Sequence, residues 1–209
     1  MRGALITVEG IDGAGKTTQA RRLVAALRRA GLEVLLEKEP TDGPHGQRLR
    51  ASARTGRLPP EEELALFLAD RREHVDQVIA PALARGAVVV LDRYTLSTAA
   101  YQGARGLDPH DILRRNAFAP VPDRTLLLDL PPEAGVARVR ERDTVENAFE
   151  GLEDLRRCRE TFLALARELP EVRVFAADRP VDDVYRELLA DLTGGVLRAA
   201  LAIPRDPAG

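Results

Sequence analysis

A glycine-rich segment, GIDGAGKTT, constrains this chain more than any other part of its sequence. Gly10, Gly15, Lys16 and Thr17 fit the pattern G-x-x-x-x-G-K-S/T, in which a tight loop joins a strand to a helix. A short β-rich run precedes the loop, and apolar residues recur at helical spacing after it. Glycines let backbone N–H groups turn inward around phosphate oxygens, and the helix N-terminus adds a favourable dipole. The segment therefore predicts a phosphate-binding loop.

The loop residues expected to surround the phosphates of a nucleotide are Gly10, Ile11, Asp12, Gly13, Ala14, Gly15, Lys16, Thr17 and Thr18. Lys16 is predicted to bridge the β- and γ-phosphates, and the Thr17 hydroxyl to help hold Mg²⁺. This motif alone leaves three classes open, namely a switch GTPase, an ATPase motor and a small-molecule kinase. The chain has no Asn-Lys-x-Asp guanine-reading motif and little room for coupling elements. A kinase is therefore favoured, and it needs a second site for a phosphate acceptor.

Apolar segments predict a strand before the loop and further strands at residues 33–40, 86–92, 124–130 and 172–177. Helical spacing predicts helices over residues 16–30, 44–54, 60–85, 97–105, 109–118, 132–142, 151–168 and 181–192. Strands that alternate with helices indicate βαβ units. We therefore expect an α/β protein with the P-loop NTPase fold, a five-stranded parallel sheet flanked by helices on both faces.

Composition limits the partners and the domain organisation. Lys and Arg number 31 against 33 Asp and Glu, a formal net charge of -2, so no basic field predicts a nucleic-acid partner. A single cysteine and the absence of an apolar run near the roughly 20 residues of a membrane span predict a cytoplasmic protein with no membrane partner. One kinase domain is expected over residues 1–193, with a lid at about 140–151. Residues 194–209 are expected to form a C-terminal tail that is separate from the folded domain.

Charged residues follow the third predicted strand, in the sequence LDRY. Functional residues of parallel sheets gather at the carboxyl ends of the strands, so Asp92 is placed to bind the metal through water or to orient Thr17. Arg93 would point its N–H donors toward the nucleotide crevice. A surface salt bridge is the alternative, and the apolar run before Asp92 makes it less favoured.

Arg71 lies on the apolar stripe of a predicted helix, four residues after Phe67. A charge on a buried face needs a partner, and a bound base could supply one, with Phe67 stacking on its ring. Phe67 without Arg71 would be interpreted as ordinary core. Farther along, Thr98, Tyr101 and Gln102 could read a base edge or crowd a sugar, although Ser-Thr is also a good helix start.

An arginine-rich segment spans residues 136–151. Arg138 and Arg142 are four residues apart and share a helical face. Phosphoryl transfer needs positive charge over the equatorial oxygens, so a mobile arginine flap suits that chemistry. A solvated helix end is the alternative for any one of these arginines.

Five motifs, in order and spacing, resemble the thymidylate kinase family: VEGIDGAGKTTQA, the Glu39-Pro40 pair, LFLADRREHV, LDRY followed by STAAYQG, and PDRTLLLDLPPE. The resemblance extends over about residues 3–190. It implies a nucleoside-monophosphate-kinase fold, a homodimer, and Mg²⁺ as cofactor. It also implies transfer of the γ-phosphoryl group of ATP to dTMP, which gives dTDP and ADP.

The same resemblance implies roles for the matching residues. Those expected to contact dTMP are Arg50, Phe67, Arg71, Arg93, Thr98, Tyr101 and Gln102. Phe67 would stack on thymine and Arg71 would contact its O4 atom, while Tyr101 would pack against the sugar. The expected catalytic residues are Lys16, Asp12, Arg93 and Arg142, with Arg138 beside ATP and with Thr17 and Asp92 at the metal.

The sequence departs from the family pattern at three places. Residues 41–44 read Thr-Asp-Gly-Pro where many members have Gly-Gly-Thr, which could move Arg50, and Leu96 replaces an acidic residue. Gly13 stands where one class of the family has a loop arginine, and the flap arginine expected in its place aligns with Ala148. A missing transition-state arginine can cost on the order of a thousandfold in rate. We therefore expect Arg142, or else Arg138, to close over the phosphates.

Two other functions stay open at this point. One is a kinase for another deoxynucleoside monophosphate or for a nucleoside, since Thr98 and the altered 41–44 turn leave room for a different acceptor. The other is a nucleotide-binding regulator with weak or no kinase activity, suggested by Ala148. Intact Lys16, Thr17 and Asp92 argue against the regulator, because a pure binder has less need of a metal site.

Overall fold

A computed structural model describes residues 3–142 and 151–202 of the chain. Within these ranges the strands are β1 (Ala4–Glu9), β2 (Val34–Lys38), β3 (Val88–Asp92), β4 (Arg124–Asp129) and β5 (Val172–Ala176). They form one sheet in the order β2-β3-β1-β4-β5, and every pairing is parallel. The predicted five-stranded parallel sheet is confirmed.

The helices of the same ranges are α1 (Lys16–Arg29), α2 (Pro44–Thr55), α3 (Pro60–His74), α4 (Ala80–Ala84), α5 (Thr95–Ala104), α6 (Pro109–Arg115), α7 (Pro132–Arg142), α8 (Leu152–Glu168), α9 (Val181–Gly194) and α10 (Arg198–Ala202). Helix α1 shows why the pattern predicts most of them: Ala20, Leu23, Val24 and Leu27 are buried at helical spacing. Only α10 lies outside the predicted helices.

A π-helical turn, Val75–Ile79, joins α3 to α4 where the sequence predicts one uninterrupted helix. Pro81 has no N–H to donate, and a proline ring crowds the carbonyl four residues earlier. The Ala80 N–H reaches back to the Val75 carbonyl. The chain therefore stays helical through this segment with one wider turn.

Alternate residues of the central strands fill two apolar clusters, one on each face of the sheet. Leu5, Val89 and Leu91 pack with the π-helical turn and α4. Ile6 and Val90 pack with α1 on the opposite face. All of β3 is buried, as its continuous apolar run predicts for a strand covered on both sides.

The carboxyl ends of β1 and β3 lie side by side, because Val8 is paired with Asp92 in the sheet register. The phosphate loop leaves β1 at the same edge where Asp92 and Arg93 leave β3. This pairing brings together two motifs that are separated widely in the sequence.

The first part of the expected tail packs on the fold. Leu197 is 1% exposed and belongs to the same apolar cluster as Leu188 and Leu192. The domain boundary at 193/194 stays a prediction, but the chain is not detached at Leu197. Across the part of the chain that the structure describes, the helices are too short or too polar to cross a lipid bilayer.

Candidate nucleotide site

The phosphate loop joins β1 to α1, and its turns are made at glycines. Gly10, Gly13 and Gly15 have φ values of 138°, 81° and 91°, in the region that disfavours side chains. Lys16 folds back over the loop, and its Nζ donates to the Ile11 carbonyl at 2.8 Å. Burial lowers the pKa of Lys16 to about 8, with the neighbouring Arg93 charge acting in the same direction.

Thr17 and Asp92 meet where α1 begins. The Thr17 hydroxyl donates to Asp92 Oδ2, and Asp92 is 9% exposed. These hard oxygen atoms suit Mg²⁺, which uses one or two protein oxygens and completes its shell with phosphate and water. Within the described residues, no cluster of three or more His, Cys, Asp or Glu could hold a metal by itself. The site fits a metal that arrives with a nucleotide.

A contact between two glycines sets the position of the phosphate loop against α7. A Cβ added to Gly13 would lie 2.4 Å from the Gly135 carbonyl oxygen, and one added to Gly135 would lie 2.6 Å from the Asp12 carbonyl oxygen. Real Cβ atoms essentially never approach other atoms within 3.0 Å. The backbones of α7 and the loop therefore touch, and position 13 has no room for a side chain in this arrangement.

Arg138 lies one helical turn beyond Gly135 on α7. Its guanidinium donates to the Ala177 carbonyl at 3.2 Å and to the Gly13 carbonyl at 3.4 Å. The expected partner Arg142 ends α7, but its side chain lies outside the described residues, and so does Ala148. Most of the expected lid, at about 140–151, falls there too. The assignment of the lid arginine stays a prediction.

Arg93 is held in a left-handed conformation, with φ of 72°, just after β3. Its Nη2 donates to Asp12 Oδ1, and its guanidinium lies 4.9 Å from the centre of the Tyr101 ring. A left-handed non-glycine residue costs about 1–2 kcal/mol, so its neighbours must hold it there. The Arg93 N–H donates to Val8 O, and the next N–H, of Tyr94, donates to Glu9 Oε1 at 2.8 Å.

Glu9 explains why α5 begins two residues before the predicted start at residue 97. Its carboxylate is 0% exposed and accepts from the Tyr94 and Ser97 N–H groups and from the Ser97 hydroxyl. An acid from β1 thus caps the helix, in place of a side chain next to it in sequence. Burial raises the pKa of Glu9, against the hydrogen bonds from Ser97.

Two cavities adjoin at this edge of the sheet. One is a cleft of about 420 Å³ whose lining includes Lys16, Thr17, Arg50, Asp92, Arg93 and Arg138. The other is a pocket of about 140 Å³ whose lining includes Phe67, Arg71, Arg93, Thr98, Tyr101 and Gln102. Arg93 lines both cavities. The described residues predicted for donor and acceptor therefore divide between two adjoining spaces, except Gly10, Ile11 and Ala14, which line neither cavity.

Arg71 is 1% exposed, as its place on an apolar stripe predicts, but its charge is already paired. Its Nη2 lies 2.7 Å from Glu39 Oε2. The charge of Arg71 is therefore balanced by a protein carboxylate, where a bound base was expected to be its partner. The same Nη2 donates to Thr98 Oγ1 at 2.9 Å. Phe67 beside it is half-buried rather than part of the core, which leaves its ring available to the pocket.

Gln102 is held by a third buried acid. Its Nε2 donates to Glu63 Oε2 at 2.7 Å, and Gln102 is 0% exposed. Arg57 and Arg105 also pair with Glu63. This fixes the orientation of the Gln102 amide, with its nitrogen toward the acid.

The unusual turn at residues 41–44 keeps Arg50 at the site. Asp70 accepts from the Thr41 N–H at 2.8 Å and from the Thr41 hydroxyl at 2.6 Å, which anchors the turn to α3. Arg50 donates to the Pro40 carbonyl at 3.0 Å and lies 3.0 Å from Asp42 Oδ1. Arg50 therefore lines the cleft despite the changed turn.

Asn116 also belongs to these networks, since its Oδ1 accepts from Arg71 Nη1. Four residues of the networks had no predicted role, namely Glu9, Glu39, Glu63 and Asn116. Each is at most 5% exposed. Glu63 lies in a Glu-rich run and Asn116 in a polar stretch, so nothing local separates them from solvated residues. Two of the four carry a signal: Glu9 is a charge at the end of an apolar strand, and Glu39 belongs to one of the five ordered motifs.

The parallel sheet, the phosphate loop and the two adjoining cavities define a P-loop nucleotide-binding protein with space for a second ligand. A family model described as Thymidylate kinase matches residues 8–188. The chain belongs to the thymidylate kinase family.

Curated relatives agree with this assignment. Thymidylate kinase from Xanthomonas euvesicatoria pv. vesicatoria (strain 85-10) is 56% identical over 200 residues, which cover 96% of this chain and 85% of the relative. Thymidylate kinase from Xylella fastidiosa (strain 9a5c) is 54% identical over 197 residues, which cover 94% of this chain and 93% of the relative. The similarity therefore covers at least 94% of this chain and at least 85% of each of the two relatives.

Proposed function

We propose that this protein is a thymidylate kinase, which transfers the γ-phosphoryl group of ATP to dTMP and gives dTDP and ADP. The observation that carries the proposal is the junction of the two cavities at Arg93. One cavity contains the phosphate loop and the other contains an aromatic ring beside a buried arginine. A phosphate bound at Arg93 would face both.

The charge of the cleft suits a polyphosphate. Five basic and three acidic residues line it. Lys16 contacts the β- and γ-phosphates in this proposal, and the loop N–H groups donate hydrogen bonds to oxygens of the β-phosphate. Thr17 and Asp92 would hold Mg²⁺, which would supply positive charge against the negative charge of the transferred phosphoryl group.

On the acceptor side, Arg93 and Arg50 hold the phosphate of dTMP, and Asp12 orients Arg93. Phe67 stacks on thymine, Arg71 donates to O4, and Tyr101 packs against the sugar. The acceptor phosphate is already an adequate nucleophile, so in-line transfer needs positioning and charge neutralisation rather than a covalent intermediate.

A panel of acceptors with Mg-ATP tests the proposal. We expect dTMP to give the highest kcat/KM, above dUMP, UMP and thymidine, with formation of dTDP followed by chromatography. Preference for UMP or thymidine would overturn the assignment. Binding of dTMP and ATP in a calorimeter without dTDP formation would instead support a nucleotide-binding regulator.

Positive charge over the transferred group comes from the α7 arginines in this proposal, with Arg142 first and Arg138 second. The position of Arg138 against Gly13 supports a cation at this place. Arg142→Ala is expected to lower kcat on the order of a thousandfold, and Ala148→Arg to restore part of that loss in the double variant. Arg186→Ala is the control, since Arg186 is exposed on α9. Unchanged kcat in both Arg142→Ala and Arg138→Ala would refute the flap assignment.

We further propose that the enzyme is a cytoplasmic homodimer. Its charge balance and single cysteine support the location, and family membership supports the assembly. Sedimentation at micromolar concentration checks the dimer, since a monomer has half the mass.

A further inference from the structure

The Arg71 guanidinium makes more hydrogen bonds than the one ion pair that would balance its charge. Its Nε donates to Glu39 Oε2 at 2.8 Å, while the other Glu39 oxygen, Oε1, lies 3.0 Å from His74 Nδ1. Its Nη2 contacts Glu39 and Thr98. Its Nη1 donates to Asn116 Oδ1 at 2.5 Å. Every nitrogen of this guanidinium is therefore bound.

A guanidinium has five N–H groups in a fixed plane. The Nε group and both Nη2 groups serve Glu39 and Thr98, and one Nη1 group serves Asn116. Among the described residues, the second Nη1 group has no hydrogen-bond acceptor. Arg71 lines the acceptor pocket beside Phe67. The arginine is thus left with one N–H for a ligand.

Asn116 is itself held in place by a second hydrogen bond, so its amide oxygen faces the Arg71 guanidinium. It is 3% exposed at the end of α6, and its Nδ2 donates to the Ile112 carbonyl at 2.8 Å. This second bond fixes which way the amide faces, because the nitrogen has an acceptor and the oxygen must then face Arg71. Glu39 already balances the charge of Arg71, and the neutral Asn116 amide orients the guanidinium without adding a second negative charge.

We propose that Asn116 is a positioning residue that sets the specificity of the acceptor pocket. It fixes the plane of the Arg71 guanidinium so that the remaining N–H meets an acceptor atom on the edge of a stacked base. The inference rests on the proposed function, in which that atom is the O4 of thymine. A base with a weaker acceptor at this position is discriminated against because the N–H then stays unsatisfied in a buried site.

The test compares dTMP with its 4-thio analogue, 4-thio-dTMP, which replaces only the O4 oxygen by sulfur, a weaker acceptor. Dissociation constants are measured by calorimetry without ATP, and kcat/KM with ATP. The wild-type chain is expected to prefer dTMP by about tenfold, because the weaker sulfur acceptor loses part of a hydrogen bond from the charged guanidinium. In Asn116→Leu the preference falls to about twofold or less, while the KM for ATP stays unchanged.

Two further variants separate positioning from folding. Asn116→Ser has too short a side chain to reach Nη1 and is expected to relax the preference like Asn116→Leu. Thr125→Val is the control, because it removes a buried hydrogen bond to Thr7 in the sheet, and Thr125 lines neither cavity. It is expected to lower the melting temperature and leave the preference intact.

The preference for dTMP staying intact in both Asn116→Leu and Asn116→Ser would overturn the inference, as would equal relaxation in Thr125→Val. Failure of the proposed function looks different. The wild-type chain would then bind dTMP without forming dTDP, and the calorimetric comparison would still report on Asn116.

Discussion

Gly135→Ala is a sharp test of the contact between α7 and the phosphate loop. In a helix, alanine normally stabilises by about 1 kcal/mol relative to glycine. At Gly135 the added Cβ would lie 2.6 Å from the Asp12 carbonyl oxygen and 3.2 Å from Ile11 Cδ1. The atom it meets first is backbone, which cannot swing aside as a side chain does. The structure therefore predicts the opposite sign to the one expected from helix propensity.

The magnitude follows from how far α7 must move. Ordinary van der Waals contact begins at 3.4 Å, so the helix must retreat from the loop or distort. Overpacking of this kind costs about 1–3 kcal/mol, which lowers the melting temperature of a chain of this size by roughly 2–12 °C. A displacement of about 1 Å in a loop that positions phosphates lowers kcat on the order of a hundredfold.

Differential scanning calorimetry and steady-state turnover measure both effects. Gly194→Ala is the matched control, because Gly194 ends α9 and an added Cβ meets nothing within 4 Å. We expect that control to leave kcat unchanged and to keep or raise the melting temperature. A Gly135→Ala protein that is as active and as stable as the control would refute the close contact.

Three further predictions concern the charged groups of the site. Because burial lowers the pKa of Lys16 to about 8, its ammonium is lost as pH rises through that value, so kcat/KM for ATP falls about tenfold per unit above pH 8. A profile that stays flat to pH 9.5 contradicts this. Asp92→Asn is expected to raise the Mg²⁺ concentration for half-maximal rate by roughly tenfold or more, read from a metal titration at saturating ATP, and an unchanged titration removes Asp92 from the metal site. Ser97→Ala removes the hydroxyl that donates to the buried Glu9 carboxylate, so the free energy of unfolding in urea should fall by about 1.5–3 kcal/mol. An unchanged urea midpoint would mean that this hydrogen bond does not stabilise the fold.

The sequence alone determined the sheet, the phosphate loop and the family. Each depends on local information, since a continuous apolar run predicts β3 and the spacing of Gly10, Gly15 and Lys16 predicts the loop. The ordered motifs predicted membership of the thymidylate kinase family, and the comparison with known proteins confirmed it. Features of this kind can be predicted from short segments of the sequence, without knowing which segments the fold brings together.

The tertiary structure decided which charges are paired, and by what. Glu9 caps α5 across 88 positions of sequence, and Glu39 reaches Arg71 across 32. The fold also closed the space at Gly13 by bringing Gly135 onto the loop. Sequence could place Arg71 on a buried stripe and leave open what balanced its charge. A buried charge must find a partner, but which partner it finds depends on chain segments that only the fold makes neighbours.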